Sequence, residues 1–295
     1  MSVKLVFQER PNMGAVYWRV FTKRGNKLRA GEALPETVAD WKGSPVEASR
    51  LAAYCAVCGF SADAGVPVTY PYIMAAPLHF AMLSDPGFPL APMGGIHARN
   101  SILQHRQVRP DEALDIHCWV GGGRAVKAGL EFDVNTRIEA GGSVVWECAS
   151  GYIVRGRFGE PQEGAPKLRF GALESANYES GWKVAAGTGR RYAKVTGDYN
   201  PIHLHWALGK LFGFPRDIIH GMWSLAKCAS SLPALPADKP QRLDVVFKGP
   251  VLMGSSVSLK AATENGSRLF EVYSGKNPKP VMQGQYRTAE AGETL

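Results

Sequence analysis

Arg190-Arg191-Tyr192-Ala193-Lys194-Val195-Thr196-Gly197-Asp198-Tyr199-Asn200-Pro201-Ile202-His203 is the stretch on which the reading of the chain turns. Its first part is helical. Tyr192 and Val195 stand three apart on one helix face, and Gly197, two residues on, can end the helix. An earlier segment, Leu51-Ala52-Ala53-Tyr54-Cys55-Ala56-Val57-Cys58-Gly59-Phe60, repeats the pattern Tyr-x-x-Val-x-Gly. Tyr54 and Tyr192 are 138 positions apart. Each copy is preceded by a short segment with a tryptophan, Trp41 or Trp182. Three matched positions are weak alone; the shared order of the segments after each copy makes them an internal repeat.

After each copy come a loop and a longer apolar segment. These are Tyr72 to Leu83 in the first half and Ile218 to Leu232 in the second, the latter punctuated by Pro233 and Pro236. Each reads as a buried helix. Strand signals come next in both halves. In the first they are Asp115 to Val120, Ala128 to Ile138 and Ser143 to Val154, with turns expected at Gly121-Gly122-Gly123 and Gly141-Gly142. In the second they are Arg242 to Phe247, Ser256 to Thr263, Arg268 to Tyr273 and Val281 to Arg287, with a hairpin signal at Asn265-Gly266. One helix and then a run of antiparallel strands, twice over, is an α+β pattern. A curved antiparallel sheet wrapped around a long apolar helix is a hotdog, so a double hotdog is expected. The reading divides the chain into an N-terminal hotdog (1–155), a linker (156–177) rich in glycine and mixed charge, and a C-terminal hotdog (178–295).

Composition excludes several classes. With 295 residues, 45% hydrophobic and 20% charged, the chain is an ordinary globular one. No run of about 20 apolar residues offers a membrane span. Residues 1–10 lack the apolar core and cleavage site of a secretory signal, and the last four residues match no peroxisomal or reticular address, so the cytoplasm is the expected compartment. Five scattered cysteines argue against a disulfide framework. Cys55 and Cys58 form a C-x-x-C without a second ligand pair, and inside a helical run they read as buried structural thiols. The net charge of +8 is spread thinly, without a basic block or nucleic-acid motif. Such a surface favours an anionic small molecule over nucleic acid.

The chemistry sits in the loop after the second repeat helix. Gly197 lets the chain leave the helix, and Asp198 and Asn200 can fold back onto turn backbone. Pro201 fixes its own φ and steers Asn200 out of the helical region. The product is a stiff loop holding a carboxylate and an imidazole five residues apart. Taken alone, such a turn is more often a capping Asp198 beside a surface His203.

Two longer stretches shift the balance. Gly197-Asp198-Tyr199-Asn200-Pro201-Ile202-His203, then Phe212 through Ile219 leading to His220-Gly221-Met222, resembles the hydratase motif and central helix of the MaoC-like dehydratases. These include (R)-specific enoyl-CoA hydratases and the hydratase domain of peroxisomal multifunctional enzymes. Phe247-Lys248-Gly249-Pro250-Val251 resembles the family's central strand and turn. The likeness covers about the last 115 residues; the first half shares the fold in outline. The resemblance implies reversible hydration of trans-2-enoyl thioesters to (R)-3-hydroxyacyl thioesters. Asp198 and His203 would be the catalytic pair, Asn200 would orient them, and the Gly221 N–H would donate to the thioester oxygen. A preorganised N–H at a helix start suits the enolate that develops there. Arg216 and Lys248 are candidates for the phosphates of coenzyme A. Relatives place a serine about two turns into the central helix; here Ala229 stands there, with Ser230 beside it. His220 reads as a brace for the loop and His205 as a surface residue. No metal or organic cofactor is required, the substrate arriving as a CoA or acyl-carrier-protein thioester. A two-hotdog chain can act as its own pseudo-dimer or pair again as a homodimer, and the residues leave that choice open.

The first half has Gly59-Phe60-Ser61 where the second has Gly197-Asp198-Tyr199, and it lacks Asn-Pro-x-His. One active site per chain is expected, with the N-terminal half shaping the acyl pocket. His79, His97, His105 and His117 show no ligand spacing and read as packing or surface residues. The residues leave two other readings open: a non-catalytic acyl-CoA binder on the same scaffold, and an acyl-CoA thioesterase, which would release free thiol.

Overall fold

The computed structural model describes the chain except residues 1, 24, 26, 165–167 and 172. Among the described residues eleven strands form one sheet in the order β1-β2-β4-β5-β6-β3-β8-β11-β10-β9-β7. In the first half these are β1 (Val3–Phe7), β2 (Thr37–Pro45), β3 (Gly95–Gln104), β4 (Ala113–Val126), β5 (Gly129–Ala140) and β6 (Ser143–Val154). In the second they are β7 (Tyr178–Lys183), β8 (Gln241–Phe247), β9 (Ser256–Glu264), β10 (Ser267–Ser274) and β11 (Met282–Thr288). Read outward from the middle, β3-β6-β5-β4-β2 on one side mirrors β8-β11-β10-β9-β7 on the other. The repeat in the sequence is therefore a repeat of topology. The two copies meet where β3 pairs antiparallel with β8, from Arg99 opposite Val246 to Gln104 opposite Gln241.

The helices repeat as well. α2 (Ala48–Cys58) and α4 (Thr188–Thr196) are the two Tyr-x-x-Val-x-Gly segments. Both end on a left-handed glycine, Gly59 at φ 83° and Gly197 at φ 84°. Their tyrosines are buried and meet each other, Tyr54 and Tyr192 having ring centroids 6.2 Å apart. The apolar helices are α3 (Tyr70–Ser84) and α6 (Gly221–Ser231). α3 is buried on nearly every side, as a helix enclosed by its sheet must be. It starts two residues earlier than the sequence suggests, because Pro71 fits the first turn, where its missing N–H costs nothing. α6 starts three residues later, since Ile218-Ile219-His220 is extended and Ile218 bridges to Leu252. α5 (Trp206–Leu211) is one short turn beyond the loop that carries Asp198 and His203.

Two hairpin turns lie where the glycine signals place them. Gly141-Gly142 and Asn265-Gly266 have φ values of 58° and 78°, and 37° and 77°, the positive pair that matches strand twist. Gly121-Gly122-Gly123, expected as a turn, is instead a bulge inside β4. The register against β5 shifts between Gly121 and Arg124, and the chain reverses after Val126. Glycine in a long strand marks a bulge as readily as its end.

β1, β3, α1 (Met13–Thr22) and α5 lie outside the sequence expectations, and the two tryptophan segments, read only as short stretches, are strands β2 and β7. α1 is capped by Asn12, whose side chain accepts from the Gly14 and Ala15 amides. It packs through Val16, Tyr17 and Val20 against Ala81 of α3, in a small cluster of its own. Of the expected linker, 165–167 and 172 lie outside the described residues. The part before them packs on the N-terminal half: Phe158 is buried and Gln162 donates to the Ala125 carbonyl. All five cysteines are free and buried, as their scatter in the sequence suggests. Among the described residues no helix is long and apolar enough to cross a membrane.

Candidate active site

The loop after α4 is braced from within. The Asp198 N–H donates to Thr196 Oγ1 at 3.1 Å, and the Asn200 N–H donates to Asp198 Oδ1 at 3.2 Å. Asn200 Oδ1 accepts from the Ile202 amide at 3.4 Å, which starts a single 3-10 turn, Pro201–His203. These are the Asx interactions that asparagine and aspartate offer a turn. The imidazole of His203 is thereby turned inward and buried.

Two carbonyls set the histidine tautomers. His203 Nδ1 donates to the Ile218 carbonyl at 2.9 Å, leaving its lone pair on Nε2. His220 Nε2 donates to the Asp198 carbonyl at 3.0 Å and lies 3.8 Å from Asp198 Oδ2. The two imidazoles stack at 3.7 Å between centroids. One carboxylate oxygen and one nitrogen of each ring lie within 4.8 Å of one another. That separation lets one water, with hydrogen bonds of about 2.8 Å, touch two of them at once. The same three groups are spaced to hold a small cation, although each ring already gives one nitrogen to a carbonyl.

His220 stands at the N-cap position of α6 with its ring turned to the loop rather than to the helix amides, and Gly221 is the first residue of the helix. The Gly221 N–H has no carbonyl one turn back, so it points out of the helix unpaired by it. A Cβ at Gly221 would come 3.2 Å from the Phe247 ring, so glycine leaves a narrow approach between that ring and the helix start. The carboxylate, two imidazoles and free N–H are thus gathered at the head of the second central helix.

The N-terminal half faces this point with polar aromatics. Tyr72 Oη and Tyr152 Oη are 3.2 Å apart, and His97 stacks on Tyr152 at 4.7 Å and touches Phe247 at 5.1 Å. Burial pushes the Tyr72 and Tyr152 phenols up, with the Asp198 charge adding to the effect. Burial pushes His97 down to about 4, and Asp198 opposes it. All three side chains therefore sense the carboxylate. His97 and His79, read as packing residues, share this wall; no spacing rule could have placed them there.

At the equivalent head of α3 the groups differ. Thr69 occupies the capping position of His220 and receives the Tyr54 hydroxyl at 2.9 Å. Tyr70 stands where Gly221 does and is almost wholly buried. Phe60, in the place of Asp198, stacks on Tyr54. The first copy has packed aromatic and hydroxyl groups where the second has a carboxylate and two imidazoles.

The remaining expected residues lie further out. Arg216 Nε pairs with Asp217 Oδ1 at 3.0 Å, and exposed Lys248 donates to Gln283. His205 is exposed and caps α5 by accepting from the Ala207 amide. Ser230 donates to the Cys58 carbonyl at 2.9 Å, tying α6 to α2 rather than reaching the loop.

The buried histidines predict acid sensitivity. Burial pushes His79 and His220 down to about 3 from 6.5. Below pH 6.5 the unfolded chain takes up protons that the folded chain refuses, so stability rises with pH and is lost as pH falls. Each group contributes about 1.4 kcal/mol per pH unit in that window. The urea midpoint should drop clearly between pH 6.5 and 5; a flat midpoint would contradict neutral burial.

A helix wrapped by an antiparallel sheet, twice, with an acid–base cluster at the head of one helix only, defines a double-hotdog protein with a single candidate site among the described residues. The MaoC like domain family matches residues 173–285. The chain is 32% identical over 241 residues to the 3-hydroxyacyl-thioester dehydratase X of Mycobacterium tuberculosis, covering 80% of this chain and 83% of that one. The crystal structure of HtdX from the same organism superposes with a TM-score of 0.73 at 27% identity, covering 85% of this chain and 100% of that one. A MaoC-like dehydratase from Phytophthora capsici shares the fold, with a TM-score of 0.68 at 18% identity over 88% of this chain and 96% of its own. The chain belongs to the MaoC-like dehydratase family.

Proposed function

We propose that this chain is a hydro-lyase acting on acyl thioesters, adding water to trans-2-enoyl thioesters and removing it from (R)-3-hydroxyacyl thioesters. The observation that carries the reading is the cluster of Asp198, His203 and His220 at the Gly221 end of α6. The name and similarity of the mycobacterial dehydratase support it.

The chemistry rests on the hydrogen bonds. Burial lowers the affinity of His203 for a proton, so it waits neutral, its Nε2 lone pair free. In hydration Nε2 takes a proton from the water that Asp198 also holds. The hydroxide adds to Cβ of the enoyl group, and the carbonyl oxygen becomes an enolate. The Gly221 N–H, at the positive end of α6, donates to that oxygen as its charge grows. The proton is returned to Cα, so the pair ends the turnover as it began. Asn200 keeps the loop in register through its bond to Ile202. In the proposal Arg216 and Lys248 contact the phosphates of the carrier, and no metal or organic cofactor takes part.

The test is direct. Crotonyl-CoA and longer trans-2-enoyl-CoA esters should lose their conjugated absorbance with the protein, and chiral analysis should give the (R)-3-hydroxyacyl product. Thiol release, read in the same cuvette, should stay at background. Release of thiol without hydration would replace this reading by a thioesterase. Binding without either reaction would make the chain an acyl-CoA binder.

A further inference from the structure

We propose that Tyr17, on a helix belonging to neither repeat, is a positioning residue for Asp198. Its hydroxyl occupies carboxylate oxygen Oδ1 and leaves Oδ2 for the reacting water. The inference rests on the acid–base reading above.

The geometry makes Tyr17 a two-point clamp. The Tyr199 amide donates to Tyr17 Oη at 2.6 Å, so the hydroxyl proton must point elsewhere. Asp198 Oδ1 lies 3.5 Å away and is its acceptor. The Asn200 amide donates to the same oxygen. Oδ1 thus faces two donors, while Oδ2 lies on the side of His220 Nε2. The 3.5 Å contact is long for a hydrogen bond, and the short bond from the Tyr199 amide holds the hydroxyl where it can make it. Burial, and then the Asp198 charge, push the Tyr17 phenol far above its ordinary range, so it stays a donor.

The ring itself is held firmly. It packs on Phe80 of α3 at 5.7 Å and on Phe21 at 5.8 Å, and meets Tyr199 edge-on at 6.0 Å. Other groups of the N-terminal half hold the same loop from behind. Arg10 donates to the Thr196 carbonyl and Arg50 to the Val195 carbonyl, each at 3.2 Å, at the negative end of α4. Neither touches the carboxylate. Tyr17 alone among these three reaches a group that would contact the water.

The experiment compares crotonyl-CoA hydration by the full chain and by the Tyr17→Phe, Val16→Ala and Asp198→Asn variants, with melting temperatures. Tyr17→Phe keeps the ring packing and removes both hydrogen bonds. It should lower kcat by about 10- to 100-fold, as a misplaced catalytic group does, with KM and melting temperature close to wild type. Val16→Ala loosens α1 and keeps the hydroxyl, so it should lower the melting temperature and spare kcat. An unchanged kcat in Tyr17→Phe, with Asp198→Asn inactive, would overturn the positioning role and leave the acid–base reading standing. A loss of kcat that merely tracks melting temperature in both α1 variants would also overturn it. Wild type inert towards every enoyl-CoA would remove both readings together. Should Tyr17→Phe fail to fold, 3-fluorotyrosine at position 17 keeps the shape and alters the donor. A change in kcat at constant KM supports the role, and no change in either overturns it.

Discussion

Asp198→Asn and His203→Gln are each expected to lower kcat for enoyl-thioester hydration by about a thousandfold or more, the range set by loss of a positioned acid or base. Folding should be untouched. Asparagine keeps an oxygen that accepts from the Asn200 amide, and glutamine keeps an N–H for the Ile218 carbonyl. What each loses is the capacity to hold a proton in transit. The double variant should be little worse than either single one, because groups that act as a unit are not additive. KM should move far less than kcat. Stopped assays with crotonyl-CoA, beside circular dichroism and thermal melts, read all of this. Either variant retaining a tenth of wild-type kcat would show that the proton moves elsewhere.

Gly189→Ala should damage both fold and activity. Gly189 lies in the first turn of α4, where a Cβ would sit 2.1 Å from the His203 carbonyl oxygen and 2.6 Å from Met253 Cε. The methionine tip can swing aside, but the carbonyl cannot retreat easily. Arg190, the next residue, already ties α4 to the Leu204 carbonyl at 2.9 Å. Overpacking at a backbone contact costs about 3 kcal/mol. For a chain of this size that is a melting temperature lower by roughly 6 to 12 °C. The 3-10 turn would be pushed outward and the imidazole with it, so kcat should fall as well. Gly171→Ala is the control, since a Cβ there meets nothing within 4 Å. Equal melts for the two variants would show that α4 does not press on the turn that carries His203.

The second half was legible because local chemistry and global position agree there. Asn265-Gly266 could only be a tight hairpin, and Asp198-Tyr199-Asn200-Pro201 could only be a stiff turn. β3 was not legible, for a physical reason. It is the strand shared by both halves, so its end is buried on all sides, yet Asn100, Ser101 and Gln104 are among the buried residues. Asn100 is satisfied by Ser150 at 2.9 Å, an arrangement that hydrophobic periodicity does not register. α1 had a readable signal, Asn12 ahead of the apolar run of residues 13–22. Its purpose had none. The bond from Tyr17 to Asp198 spans 181 positions and joins a segment outside the repeat to a turn inside it. The Asp198–His203 pair was visible as a motif. The stacking of His220 on His203, and the polar wall of Tyr72, His97 and Tyr152, needed three dimensions.

The seam between β3 and β8 carries a consequence for how such a molecule can change. Two separate identical hotdogs joined along that seam would form a symmetric pair, in which any substitution appears twice and acts on both sides of the axis. A tyrosine at the head of one helix would then block both. Here the copies are covalently joined, and Tyr70 and Gly221 stand in equivalent places, one plugging and one opening. The Tyr54–Thr69 and Tyr192–His220 contacts have diverged in the same way. A covalent seam leaves each side free to differ without its twin following, as the plugged and open helix heads do.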